Sequence, residues 1–199
     1  MRIRKLALPV MILLVASAAF AQRDGAAKRK ERALAHLEEA RRLAAAYKIE
    51  KAADKARETL KDDPDSAEAH VYLGLERSRA GEFEAAESEY SRALELDPYQ
   101  AAAHCQLAYV LYQEGRLEAA TDHWTFSVRL DGTSPQTLVG LALAQFKQGQ
   151  EQEALKNFEK ALLYDRRFAD VKFLASDSGP KWSGPLLKDI QQLQARLIK

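Results

Sequence analysis

Cysteine is nearly absent from this sequence, because Cys105 is the single cysteine in 199 residues. One cysteine cannot close an intrachain disulfide, so the packing of the folded domain must supply its stability. No cysteine follows the apolar N-terminal stretch either, so the lipid-attachment signal of a bacterial lipoprotein is missing. These absences exclude a disulfide scaffold and a lipoprotein anchor.

An excess of one charge is also absent, since 30 Lys and Arg residues face 29 Asp and Glu residues, for a formal charge of +1. This balance supplies no electrostatic reason for a nucleic-acid partner. The glycines are dispersed, and neither G-x-x-x-x-G-K-[ST] nor H-E-x-x-H occurs. With 47% hydrophobic and 30% charged residues, the composition favours a soluble, helix-rich domain.

A hydrophobic run of membrane-spanning length is missing as well. The apolar stretch 6–18 is shorter than the ~20 residues that a spanning helix needs, and it contains Pro9. The basic residues before it and the A-x-A pattern after it are typical of a secretory signal peptide. We therefore predict a signal peptide over residues 1–21, cleaved after Ala21, and a periplasmic or secreted mature protein. A retained membrane anchor is the alternative.

The most informative feature that is present is an internal repeat of 34 residues. Three of the nine glycines, Gly81, Gly115 and Gly149, are spaced at this period. Residues of shared type align at the same period: the alanines Ala52, Ala86, Ala120 and Ala154, the aromatic residues Tyr90, Trp124 and Phe158, and the leucines Leu73, Leu107 and Leu141. The chain is therefore a repeat protein.

Each repeated position has a physical role in a pair of helices. Glycine adopts the left-handed backbone conformation that ends a first helix, and alanine lets two helices approach to the usual ~8–10 Å. The aromatic residue fills the space beside the pair. Pro64 and Pro98 stop the second helices, while Ser134 and Pro135 begin a new one as N-cap and first helical residue.

This pattern resembles the tetratricopeptide repeat (TPR) family, whose period is 34 residues. Within 67–100 the matching residues are Leu73, Gly74, Gly81, Ala86, Tyr90, Ala93 and Pro98. The resemblance implies three units, 67–100, 101–134 and 135–168. It also implies an all-α fold, a TPR α-solenoid of antiparallel helix pairs in a right-handed superhelix. Residues 22–66 are predicted to form N-terminal helices with a degenerate TPR-like unit.

The C-terminal part, 169–199, departs from the repeat. A turn-rich stretch of serine, glycine and proline precedes four apolar residues at helical spacing, Leu186, Ile190, Leu193 and Leu197. Repeat stacks need a polar cover over their last unit. We therefore predict a C-terminal capping helix; a docking helix for a partner is the alternative.

No set of residues predicts catalysis or a metal site. His36, His70 and His104 are spaced at the repeat period, so they lie about 10 Å apart on successive units, whereas the ligands of one zinc ion all lie ~2 Å from it. Cys105 and His104 are neighbours on a helix and point in different directions. We predict a protein without enzymatic activity, cofactor or metal.

The TPR resemblance implies a binding face instead. In this family the first helices of successive units line a concave surface that holds a peptide or a partner's helix. Carried over to this chain, the groove consists of Val71, Leu75, Arg79, Cys105, Tyr109, Tyr112, Gln113, Val139, Leu143, Phe146 and Lys147. Such an apolar, aromatic groove suits an amphipathic helix or an extended peptide with hydrophobic anchors.

Family members that clamp a chaperone's C-terminal carboxylate use lysine, asparagine and arginine on this face. Here the corresponding residues include Val71, Leu75, Tyr109, Gln136 and Gly140, so we do not expect a carboxylate clamp. Alternatively, Tyr109, Tyr112 and Phe146 could fold down onto neighbouring helices or be covered by the N-terminal segment 23–48, or the face could be used for homodimerisation.

The sequence as a whole predicts an adaptor or scaffold of the cell envelope that binds a protein or peptide partner. Nucleic acid is not expected as a partner, and no membrane span is expected after signal cleavage. Two alternatives stay open: a self-associating structural component, and an accessory subunit of an envelope enzyme complex.

Overall fold

The structure is a computed structural model that describes the backbone of residues 7–182 and 184–197. Side chains are described for residues 22–182, 184 and 186–196. The helices are α1 (Ala7–Ala45), α2 (Ile49–Asp62), α3 (Ala67–Arg79), α4 (Phe83–Leu96), α5 (Ala101–Gln113), α6 (Leu117–Leu130), α7 (Pro135–Lys147), α8 (Glu151–Tyr164), α9 (Val171–Ala175) and α10 (Pro185–Leu197), with a 3-10 turn at Arg166–Ala169. Every regular element of the described residues is helical, so the all-α prediction is confirmed.

The N-terminal helix α1 includes the residues on both sides of the predicted cleavage site. Residues 1–6, the basic start of the predicted signal peptide, lie outside the described part of the chain. None of the described helices combines the length and the hydropathy needed to cross a membrane. Signal cleavage and export therefore remain predictions.

Consecutive helices pack in pairs, α1 with α2, α3 with α4, α5 with α6 and α7 with α8. The first helices of neighbouring pairs also contact each other, α1 with α3, α3 with α5 and α5 with α7. The pairs therefore stack as an α-solenoid, and α1, α3, α5 and α7 form one continuous inner row. We call the surface of this row the concave face.

The turns inside the pairs confirm the role predicted for the repeated glycines. Gly81, Gly115 and Gly149 have φ angles of 79°, 78° and 78°, in the left-handed region that glycine adopts without a Cβ clash. After each of them a backbone N–H closes the helix end, as in the 3.0 Å bond from Glu82 N to Arg77 O. The aligned residue of the first pair is Tyr47, which takes φ 56° and is followed by the equivalent bond from Lys48 N to Leu43 O.

The repeated aromatic residues fill the space between helices. Tyr90, Trp124 and Phe158 are almost completely buried. A Cβ added at Gly74 would lie 2.4 Å from Tyr90 Cε1, and one added at Gly140 would lie 2.3 Å from Trp124 Cε2. These rings are therefore in direct contact with a helix backbone, which requires glycine at both positions.

The last helix covers the end of the stack. Helix α10 packs against α7, α8 and α9, and the predicted apolar residues Leu186, Ile190 and Leu193 are fully buried. The side chain of the fourth, Leu197, lies outside the described residues. The predicted C-terminal capping helix is confirmed.

Candidate peptide-binding face

The structure places all the residues predicted to line the groove on α3, α5 and α7. They differ in accessibility. Six of them are buried, namely Val71, Cys105, Tyr109, Tyr112, Val139 and Leu143. Leu75, Arg79, Gln113 and Phe146 are partly buried, and Lys147 is exposed. The concave face is therefore mostly covered in this structure.

Part of this cover is the C-terminal segment of the same chain, residues 171–196, and neighbouring helices supply the rest. At one end its turn reaches α3, where Arg79 Nη1 donates to the carbonyl oxygen of Gly179 at 3.3 Å. At the other end Tyr112 on α5 donates its hydroxyl proton to Asp189 Oδ2 at 2.7 Å. Two predicted groove residues, Arg79 and Tyr112, thus hold this segment, and Lys147 is a third.

Asp189 is the polar centre of this contact. It is 2% exposed, and Lys147 Nζ lies 3.1 Å from its second carboxylate oxygen. Burial and the hydrogen bond to Asp189 raise the pKa of Tyr112 well above its usual value, so the tyrosine is a proton donor at neutral pH. A buried carboxylate requires partners of this kind, because an unpaired buried charge is strongly unfavourable.

The turn before α10 adds an aromatic contact. Trp182 is buried, its backbone N–H donates to Leu174 O at 2.7 Å, and its ring meets Phe168 edge-on with centroids 6.0 Å apart. Phe173 contacts Tyr47 in the same way, at 6.0 Å. The segment therefore crosses from the last helix pair to the turn between α1 and α2.

The histidines are held by local partners. His70 Nδ1 lies 2.8 Å from Glu89 Oε2. His104 Nε2 lies 3.0 Å from Pro98 O, and His104 Nδ1 lies 2.8 Å from Nδ1 of His123. A carbonyl oxygen accepts only, so in the neutral pair His104 donates from Nε2 and accepts from His123. Within the described residues, no three side chains of metal-ligating type come together.

Cys105 has the surroundings of a core residue. It is 4% exposed, and burial raises its pKa to about 11. The thiolate is the reactive form of cysteine, so the protonated thiol at neutral pH is inert. This position contributes packing to the concave face.

Two residues that contact helix α5 were not predicted from the sequence. Asp189 is an acidic residue inside the apolar pattern of α10, and that interruption was a usable signal. His123 follows His104 at the same spacing at which Glu89 follows His70. The pair His104 and His123 therefore occupies the repeat position of the pair His70 and Glu89.

Comparison with known proteins places the chain among repeat proteins. A profile described as TPR repeat matches residues 79–115, and one described as Tetratricopeptide repeat matches residues 135–168. The chain therefore contains tetratricopeptide repeats. No curated protein matches its sequence.

Solved structures show the same fold at low identity. PilF of Pseudomonas aeruginosa is 22% identical, with a TM-score of 0.61 over 86% of this chain and 72% of that one. YrrB, described as a TPR protein with an unusual peptide-binding site, is 17% identical, with a TM-score of 0.53 over 88% and 93%. The first TPR of Spaghetti (RPAP3), bound to the HSP90 peptide SRMEEVD, is 15% identical, with a TM-score of 0.52 over 69% and 97%.

Proposed function

We propose that this protein is a non-enzymatic adaptor or scaffold of the cell envelope, which binds a peptide or helix of a partner protein on its concave face. The observation that carries the proposal is that this face already holds a peptide segment, residues 171–196 of the same chain, through Arg79, Tyr112 and Lys147. A surface that binds such a segment within the chain has the chemistry to bind one from a partner.

The C-terminal segment indicates what the partner carries. Its helix combines three buried apolar residues, Leu186, Ile190 and Leu193, with one buried carboxylate, Asp189. The partner is an amphipathic helix with the same combination, which inserts an acidic residue between Tyr112 and Lys147. Binding displaces α10, because Asp189 occupies this place in the structure.

The envelope location rests on the N-terminal sequence. The basic residues, the apolar stretch 6–18 and the A-x-A pattern are typical of a signal peptide. Export of the chain with removal of residues 1–21 is checked by mass spectrometry of the protein recovered from the envelope fraction. Recovery of the intact chain in the cytoplasm would contradict this part of the proposal.

Site-specific photocrosslinking tests the binding face. A benzophenone amino acid at Gln113, at the partly buried edge of the face, is compared with one at Leu163, which is 85% exposed on α8. We expect a crosslinked partner from position 113 and none from position 163, and more of it when Asp189→Ala weakens the hold on α10. The same adducts from both positions, or none from either, would contradict the proposal.

Self-association is the second candidate, and one observation favours it. Leu163 and Tyr164 at the end of α8 are 85% and 50% exposed, and exposed apolar residues side by side are a feature of contact surfaces. Light scattering over a range of concentrations distinguishes the two candidates. A dimer that the wild type forms and Leu163→Ser does not would support the self-associating component and contradict the adaptor.

A further inference from the structure

A cavity of about 110 Å³ remains between the concave face and the C-terminal segment. Helix α3 supplies Leu75 and Arg79 to its wall, and the C-terminal turn supplies Lys181 and Trp182. Tyr47, at the turn between α1 and α2, also lines it. None of Asp189, Tyr112 and Lys147 lines this cavity, so it is separate from the contact made by Asp189.

The cavity contains a buried cation that is poorly paired. The side chain of Arg79 is 8% exposed, and its Nε has no hydrogen-bond partner. Its other bonds are long, 3.3 Å from Nη1 to Gly179 O and 3.4 Å from Nη2 to Asp177 Oδ1. Charge-assisted hydrogen bonds are usually about 2.7–2.9 Å long, so this guanidinium is weakly satisfied.

The charges around the cavity do not balance. Lys181 Nζ lies 3.0 Å from Asp177 Oδ1, so Arg79 and Lys181 share one carboxylate, and the side chain of Asp177 is 81% exposed. Of the described residues that line the cavity, none is acidic. Asp165, which acts on the pKa of Tyr47, is itself paired with Arg167 at 2.8 Å. The cavity therefore carries a net positive charge.

A buried charge is stable only when it is paired and hydrogen-bonded. Two neutral amide side chains, Gln106 and Gln136, offer further N–H donors in the wall, and Tyr109 and Trp182 offer apolar surface. Burial raises the pKa of Tyr47, so its hydroxyl remains a donor. We propose that this cavity binds the carboxylate of a small organic acid or of an acidic residue, with Arg79 as its main partner and Lys181 at the entrance.

The volume limits the ligand. The cavity volume of about 110 Å³ is several times the ~10–15 Å³ that one water molecule needs. A carboxylate with two to four carbon atoms fits this space, whether it belongs to butyrate or to an aspartate or glutamate side chain.

Butyrate and its neutral amide, butyramide, are the matched probes. In NMR spectra of the full chain, the indole N–H signal of Trp182 reports on the cavity and that of buried Trp124 serves as an internal reference. We expect butyrate to shift the Trp182 signal saturably and butyramide to have no effect. Equal binding of both probes, or a linear response without saturation, would overturn the proposal.

Three variants identify the residues that carry the binding. Arg79→Gln is expected to raise the dissociation constant of butyrate at least tenfold, and Lys181→Gln to raise it less. Arg77→Gln is the matched control, because Arg77 is on the same helix but bonds to Glu82 in solvent at 2.7 Å. Lys181 is 43% exposed, so its variant folds even if Arg79→Gln does not; unchanged affinity in Lys181→Gln and in a folded Arg79→Gln would overturn the assignment.

A second pair of probes distinguishes the two sources of the carboxylate. Acetyl-aspartate amide is compared with acetyl-asparagine amide in the same titration. Tighter binding of the aspartate compound than of butyrate assigns the cavity to an acidic residue of a polypeptide, and the reverse assigns it to a free acid. Saturable binding of neither acid would contradict the proposal, while the crosslinking result at position 113 would be unaffected.

Discussion

The first and third joints of the solenoid follow the same repeat but are held together differently. Between the first pair and α3, the contact is a cluster of alanines with Leu37 and Tyr72, flanked by the ion pairs of Arg41 with Glu68 and Arg57 with Glu76. At the third joint, Trp124 of α6 packs directly on Gly140 of α7. Of the two joints, the first adds exposed ion pairs to its apolar contact, and the third adds a large ring that packs on a glycine.

The difference shows how one repeat tolerates divergent sequences. An exposed ion pair contributes about 0–1 kcal/mol, whereas a buried aromatic side chain contributes several times more. The third joint is therefore expected to be the more stable of the two, and helix α10 packs beside it on α7 and α8.

The largest effect is expected from a methyl group added at the aromatic joint. Gly140→Ala places a Cβ 2.3 Å from the Trp124 ring, and overpacking of this kind costs about 1–3 kcal/mol. Gly25→Ala in α1 is the matched control, since a Cβ there meets nothing within 4 Å. It should leave the free energy of unfolding unchanged or raise it by up to about 1 kcal/mol. Urea unfolding measures the stability of both variants. Losses of the same size in Gly140→Ala and Gly25→Ala would show that the aromatic joint is not specially sensitive to an added methyl group.

A smaller effect on the free energy of unfolding is expected at the pair His104 and His123 as the pH falls. Burial, and then the neighbouring His104, lower the pKa of His123. His123 therefore binds a proton more readily in the unfolded chain, where its pKa is about 6.5. The stability that neutral His123 contributes is complete above about pH 6.5 and is lost as the pH falls through its lowered pKa in the folded state.

Urea unfolding of the wild type and of His123→Gln, at pH 7.5 and 5.5, checks this expectation. The wild type should lose more stability than the variant between these pH values. The other groups that act on His123 are Asp122, Arg116 and Glu87. An equal loss in both proteins would show that the histidine pair does not carry the pH dependence.

The smallest effect is expected at the first joint. Arg41→Gln removes a bidentate pair with Glu68, in which the arginine side chain is 54% exposed. The expected loss is about 0–1 kcal/mol, and it should disappear in ~1 M NaCl because salt screens exposed charges. A loss of several kcal/mol, or one that persists in high salt, would make the two joints energetically alike.

The turns of the solenoid could be predicted from the sequence because their cause is local. A left-handed residue must end each first helix, and glycine at positions 81, 115 and 149 identifies it. Even the departure at Tyr47 did not change the turn, since the hydrogen bonds of the helix end force the same φ on a tyrosine. Local rules also identified the apolar residues of α10.

The covering of the groove could not be predicted in the same way. Arg79 meets Gly179, and Tyr112 meets Asp189, across 100 and 77 residues of chain. No period connects these positions, so the sequence left an open groove and a covered one as alternatives. Asp189 could be recognised as an unusual residue in its helix, but its partners could not be identified.

The sequence by itself determined the helix pairs, their turns and their stacking, because these depend on side-chain size and backbone conformation repeated every 34 residues. Only the tertiary structure decided that residues 171–196 cross the concave face, and that Arg79 is buried beside a cavity with too little negative charge. Those features depend on where one non-repeated segment packs, which is set by contacts between residues far apart in the chain.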